Sequence, residues 1–213
     1  SYYISNIAGT DIVASMVVYE GAKPKKSAYR RFKIKSLSAH PDDYASMEEV
    51  LTRRIQRYLD GDEKFSPLPD VMLIDGGITH AGIAERVCAQ MHVRVPIFGM
   101  VKDDHHRTRA IVDSDGREIA INMNRGTFTF ITAIQDETHR FANAYRKQQM
   151  KQKSYSSTLT EVPGVGPKTA KALLTQFKSV GAVKEATPDQ LENTPGVGRQ
   201  LAQTIYDYFH REA

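Results

Sequence analysis

"VMLIDGGITHAGIAERVCAQMHVRVPIFGMVK", residues 71 to 102, decides the fold class. It opens on four apolar residues and meets an aspartate and two glycines at 75 to 77. It continues at helical spacing near 79 to 92 and closes on a second apolar stretch near 95 to 102. Strand, helix and strand in that order form a β-α-β unit, whose strands lie parallel in one sheet. A fully buried strand should not end on a charge, because an unpaired buried carboxylate is costly. Asp75 is therefore solvated, hydrogen-bonded or bound to a cation. Taken alone, an Asp at a strand end also reads as a helix cap or turn former.

Working back toward residue 1, "TDIVASMVVYE" (10 to 20) and "SAYRRFKIKS" (27 to 36) read as two antiparallel strands joined by the loop "GAKPKK". "HPDDYASMEEVLTRRIQRYLDGD" (40 to 62) has acids at its start, arginines later and apolar residues at helical spacing, so it reads as a helix. Working forward, "TRAIVDSDGREIAIN" (108 to 122) carries Asp115-Gly116 between two apolar runs, a hairpin turn. A long polar helix is expected from about Thr127 to Lys151, and "KQKSYSS" (151 to 157) reads as a linker by composition.

Beyond it lies an internal repeat. "LTEVPGVGPKTAKALLTQF" (159 to 177) and "LENTPGVGRQLAQTIYDYF" (191 to 209) align at an offset of 32. Each copy reads as a helix, a Pro-Gly-Val-Gly turn and a second helix. Gly164, Gly166, Gly196 and Gly198 let another backbone come close, beside helix N-terminal amides that suit a phosphate oxygen. Val165 and Val197 are expected to anchor the turns inward, with Lys168 and Arg199 adding charge. Amides meet phosphates and not base edges, so such binding is insensitive to sequence. The competing reading is a helical hairpin pair that packs only against a partner.

Charge follows the same division. Residues 1 to 139 hold 18 Lys and Arg against 19 Asp and Glu, and residues 140 to 213 hold 11 against 6. A basic module beside a neutral one suggests a polyanion partner, although a solvated basic surface has the same signature. At 213 residues and 40% hydrophobic composition, the chain holds one sizeable core and a smaller second module. No run approaches the roughly 18 apolar residues of a membrane span. A cytoplasmic protein without a membrane segment is expected. Cys88 is the single cysteine, which excludes disulfides within the chain and cysteine zinc sites.

Two further polar concentrations bear on chemistry. In "AIQDETHRFANAYRK" (133 to 147), Gln135, Asp136, His139 and Asn143 share one helical face, so His139 can look across at Asp75. The alternative is a surface helix with Asp136 and Arg140 as an i,i+4 pair. In "VKDDHHRTR" (101 to 109), adjacent residues of an extended segment point to opposite sides and cannot all serve one ion. Lys102, Arg107 and Arg109 read there as phosphate contacts. With nucleic acid as partner, a carboxylate at a strand end suits a site holding Mg²⁺ or Mn²⁺ for phosphodiester hydrolysis.

"ISNIAGTDIVASMVVYE", "PKKSAYRRFKIK", "PDDYASMEEVLTRR", "LIDGG", "KDDHHRTR" and "DETHRFANAYRK", followed by the two repeats, closely resemble the C-terminal half of the UvrC family. That family supplies the nuclease subunit of the bacterial UvrABC nucleotide excision repair system. The resemblance covers essentially the whole chain. It implies an α/β, RNase H-like mixed sheet flanked by helices over residues 1 to about 153, making the incision 5′ to a DNA lesion. It also implies a small all-α tandem helix-hairpin-helix domain from about 157 to 213, holding damaged double-stranded DNA. The family site joins a first-strand aspartate, the aspartate of "LIDGG" and the histidine of "DETHRFA" around Mg²⁺ or Mn²⁺. The last two map onto Asp75 and His139.

Tyr3 stands where the family has the first aspartate. A neutral phenol cannot replace a carboxylate ligand at pH 7, and Asp11 is expected to lie beyond the turn of "NIAGTD", out of reach. The sequence therefore predicts weak Mg²⁺ binding and little incision, and leaves a catalytically silent DNA-binding module as the alternative. A phosphotransferase of the actin-like type would need further glycine-rich phosphate loops, which the sequence lacks. The family's GIY-YIG nuclease and its UvrB-binding segment are also missing from this sequence, which reads as part of a longer protein.

Overall fold

The computed structural model describes residues 1–7, 11–35, 42–102, 108–119, 121 and 124–210, with backbone only for Asn6, Ile7, Asp11, Gln152 and Lys153. It divides into two compact units, Ser1–Ala144 and Tyr145–Ala213.

The first unit is built on a seven-stranded mixed sheet. Its strands are β1 (Tyr2–Ile7), β2 (Asp11–Met16), β5 (Arg30–Lys33), β6 (Met72–Asp75), β7 (Ile97–Lys102), β8 (Thr108–Val112) and β9 (Glu118–Ile119). They lie in the order β5-β2-β1-β6-β7-β8-β9. The central pairs β1–β6 and β6–β7 are parallel, as the β-α-β reading requires, and the pairs outside them are antiparallel. The stretch between β2 and β5 is more than a loop. It carries its own small ladder, β3 (Tyr19–Glu20) against β4 (Lys23–Pro24).

Strand alternation divides the core into two layers. Tyr2, Ile4, Ala14, Met16, Met72 and Ile74 face α1 (Asp43–Leu59) and α2 (Ile78–Gln90), which contribute Met47, Val50, Leu51 and Ile55, and Ala81, Ala84, Val87 and Cys88. Asp42 starts α1 by accepting from the Tyr44 and Ala45 amides. On the opposite face Leu73, Met100 and Ile111 pack with Ile131 and Ile134 of α3 (Arg125–Thr160). Asp75 falls on this second face, at the C-terminal end of β6. Gly99 on β7 lets the turn after Asp75 fold close, since a Cβ there would lie 2.4 Å from the Gly76 carbonyl oxygen.

α3 corrects the linker reading. "KQKSYSS" is helical, and the helix runs on to Thr160. Polarity marked this stretch as a linker, but no Gly or Pro interrupts it between Gly126 and Pro163, and Lys, Gln, Arg and Met are good helix formers. The first repeat consequently uses the last turn of α3 as its opening helix. The division between the two units also falls within α3, at Ala144/Tyr145. Arg140 pairs with Glu137 at 2.5 and 2.7 Å and not with Asp136, because the Tyr29 hydroxyl already holds the Glu137 carboxylate in place at 3.0 Å.

In the second unit α4 (Pro167–Phe177), α5 (Val180–Glu185), α6 (Pro188–Glu192) and α7 (Arg199–His210) close on the end of α3. The repeat extends to the packing. Leu159 and Leu191, Val165 and Val197, Ala170 and Ala202, and Leu173 and Ile205 are buried at equivalent places. Among the described residues no helix is long and apolar enough to cross a membrane.

Candidate active site and nucleic-acid interface

Three side chains from two elements converge on Asp75. Lys102, at the end of β7, places its ammonium 3.0 Å from Oδ1 and 3.1 Å from Oδ2. From α3, Gln135 Nε2 donates to Oδ1 at 2.7 Å, and His139 Nε2 lies 3.2 Å from Oδ2. The two α3 residues are four apart, so one helical face delivers both. The Asp75 side chain is only 6% exposed. Burial raises its carboxyl pKa, but the His139 hydrogen bond and the Lys102 ammonium outweigh that and hold it below the ordinary carboxylate range. The charge that ends β6 is thus hydrogen-bonded and ion-paired, two of the outcomes open from the sequence.

Position 3 belongs to the same place. Tyr2 pairs with Ile74 across the parallel β1–β6 ladder, which sets Tyr3 beside Asp75 on the α3 face. The Tyr3 ring lies 4.6 Å from the His139 ring, centroid to centroid. Asp11 is elsewhere: Tyr3 pairs with Ser15, and the backbone of Asp11 is four residues further along β2, about 13 Å away at strand rise.

The remaining expected contacts are dispersed. Lys102 is engaged by Asp75, and Arg109 pairs with Glu118 across β8–β9 at 2.9 Å. Arg107 lies outside the described residues, as do Asp103, Asp104, His105 and His106. Asp136 and Asn143 are exposed on α3. Two contributors escaped sequence reasoning. One is Lys102 as partner of Asp75, signalled only by the parallel pairing of Asp75 with Met100. The other is Thr108, whose hydroxyl donates to Gln135 Oε1.

The donor set decides what the site can hold. Asp75 and His139 bring one carboxylate and one imidazole, position 3 brings a phenol, and an ammonium already neutralises the carboxylate. Among the described residues no group of three or more His, Cys, Asp or Glu gathers. Mg²⁺ favours several carboxylate, phosphate and water oxygens around it, and these residues by themselves do not fit such an ion.

In the second unit, Gly164 and Gly196 take the same left-handed φ of +84°, which glycine alone adopts without strain. Val165 and Val197 are buried, and their amides close the turns onto the Val162 and Thr194 carbonyls at 3.0 Å each. Gly164, Gly166, Gly196 and Gly198 are exposed, as are Lys168 and Arg199. Gly166 opens α4 without a side-chain cap, and Pro167, its first residue, has no amide to satisfy.

Comparison with known proteins matches both units. Residues 1–143 match the UvrC RNAse H endonuclease domain, and residues 156–211 match the SAM-like helix-hairpin-helix tandem. The UvrABC system protein C of Acetivibrio thermocellus is 44% identical over 227 aligned positions, covering 100% of this chain and 36% of that protein. Its counterparts in Alkaliphilus oremlandii and Clostridium novyi are 40% and 41% identical, each over 99% of this chain and 36% and 35% of their own length. The chain thus spans about a third of these relatives. A mixed α/β sheet with an RNase H-like endonuclease match, followed by a tandem helix-hairpin-helix, leads to one assignment: the chain belongs to the UvrC family.

Proposed function

We propose that this chain is the nuclease-fold and duplex-engaging part of a UvrABC-type excision repair protein. On this reading residues 1 to about 153 carry the site for incision 5′ to a lesion, and residues from about 157 to 213 hold the damaged duplex. UvrB would be engaged by parts of a longer protein. The observation that carries the reading is the meeting of position 3, Asp75 and His139 on one face of the sheet in a UvrC-family chain. Amides around Gly164, Gly166, Gly196 and Gly198, with Lys168 and Arg199, take the phosphate backbone without regard to sequence. At the site the Asp75 carboxyl is held below the ordinary carboxylate range, with the half-buried Lys102 ammonium and the His139 ring beside it.

The same observation sets the limit on activity. With Tyr3 in place of a carboxylate, the site holds Mg²⁺ or Mn²⁺ poorly and the chain behaves chiefly as a DNA-binding module. Tyr3→Asp supplies the missing oxygen donor beside Asp75. The test is incision of a bubble or nicked lesion duplex with Mn²⁺. The chain as it stands is expected to cut little and Tyr3→Asp to cut. Asp75→Ala or His139→Ala in the Tyr3→Asp background should abolish cutting with duplex affinity retained. Robust cutting by the unaltered chain would place the reaction on other residues.

A further inference from the structure

Gln135 and Thr108 are buried polar side chains beside an apolar layer. They are 3% and 2% exposed, and in that layer Ile111, Ile131 and Ile134 pack together. A buried amide or hydroxyl costs stability unless it is paired, and an apolar pair of similar shape would fill the space at little or no cost. These two are paired in series. The Thr108 hydroxyl donates to Gln135 Oε1, and Gln135 Nε2 donates to Asp75 Oδ1.

We propose that Gln135 is a positioning residue for Asp75, and that Thr108 sets the direction in which the Gln135 amide faces. An ionised carboxylate only accepts, so Gln135 must turn its NH₂ toward Asp75 and its carbonyl away. The carbonyl then lies against Thr108, whose hydroxyl is the donor that satisfies it. Lys102 reaches both oxygens, so it is the amide on Oδ1 and His139 on Oδ2 that tell the two apart and give the carboxylate one orientation at the end of β6. Without the hydroxyl, the Gln135 carbonyl is buried and unpaired in its native direction, so the direction that Asp75 requires is opposed by an unsatisfied carbonyl. This inference rests on the reading of Asp75 as the reactive-site carboxylate.

The test uses the full chain with ¹³C-labelled aspartate and follows the Asp75 side-chain carboxyl resonance at fixed pH in Gln135→Met, Thr108→Val, their double variant and Thr108→Ser. Gln135→Met should move the resonance. Thr108→Val should also move it, acting through Gln135, whereas Thr108→Ser should leave it in place. In the double variant the Thr108 change should add nothing to that of Gln135→Met. In the Tyr3→Asp background, both single variants should lower kcat by about 10- to 100-fold, the usual effect of losing a partner that orients a ligand, with KM for duplex unchanged. A resonance indifferent to Thr108→Val, or one that Thr108→Val moves equally with and without Gln135, overturns the proposal. Should Gln135→Met fail to fold, the contrast between Thr108→Val and Thr108→Ser decides it. If Tyr3→Asp does not cut, the nuclease reading fails while the carboxyl resonance still tests the positioning role.

Discussion

Gly99→Ala tests how tightly the turn beside Asp75 is built. The added Cβ would stand 2.4 Å from the Gly76 carbonyl oxygen and 2.8 Å from that of Gly77. An ordinary carbon–oxygen contact is about 3.3 Å or more, so the Gly76 carbonyl must retreat by about 1 Å. The neighbours are backbone atoms, so no side-chain rotamer can relieve the contact. Overpacking of this kind costs about 1–3 kcal/mol. Against it stands about 0.5–1 kcal/mol recovered because Ala is less free than Gly in the unfolded chain. A net loss of about 1–2 kcal/mol is expected, or roughly 2–8 °C in Tm for a chain of this size. Calorimetry of the full chain measures the midpoint, and amide hydrogen exchange locates the loss in the β6–β7 ladder. Because the displaced residues directly follow Asp75, the same variant made in Tyr3→Asp should also cut more slowly. An unchanged midpoint with unchanged protection of Met72–Asp75 would refute the close-approach argument.

Two other outcomes follow from the geometry. Arg140 first, and then the Tyr29 hydroxyl, hold the Glu137 carboxyl below its ordinary value against the opposing effect of burial. Its ionised form therefore contributes stability above the unfolded value of about 4.3, and that contribution is lost as pH falls through the lower folded value. Acid titration of Tm should show a shallower decline below about pH 4 in Glu137→Gln than in the unaltered chain; parallel curves would contradict the assignment. In the second unit, Lys168→Ala and Arg199→Ala should each weaken duplex binding alike for all sequences and lower the slope of log K against log salt by about one. Fluorescence anisotropy over a salt series checks this, and a loss confined to one sequence would count against phosphate contacts.

What was legible in the sequence was what local pattern determines. The β-α-β unit showed in two apolar runs around a helical one, the hairpin in Asp115-Gly116, and the paired turns in a repeat whose buried positions recur at the same offset. The meeting of Asp75 and His139 was legible too, because a strand-end carboxylate and a helical face each leave a one-dimensional trace. Partners set by register did not. Lys102 reaches Asp75 because Asp75 pairs with Met100, and two residues more on β7 return to the same face. Thr108 meets Gln135 only when β8 and α3 pack, and a glutamine on a polar-looking helix gives no sign of burial. Arg140 had both Asp136 and Glu137 within helical reach, and the choice was made by Tyr29, more than a hundred residues away. Composition marks the linker because it reports solvation, whereas the backbone follows helix propensity with no breaker before Pro163.

The most direct measurement is Mn²⁺ binding followed by electron paramagnetic resonance, with the free-ion signal recorded for the unaltered chain, Tyr3→Asp, and Tyr3→Asp combined with Asp75→Ala. If position 3, Asp75 and His139 form one site disabled by the phenol, the unaltered chain leaves the free Mn²⁺ signal nearly intact. Tyr3→Asp then removes about one equivalent, and adding Asp75→Ala returns it. Equal Mn²⁺ binding by the unaltered chain and Tyr3→Asp would contradict the account.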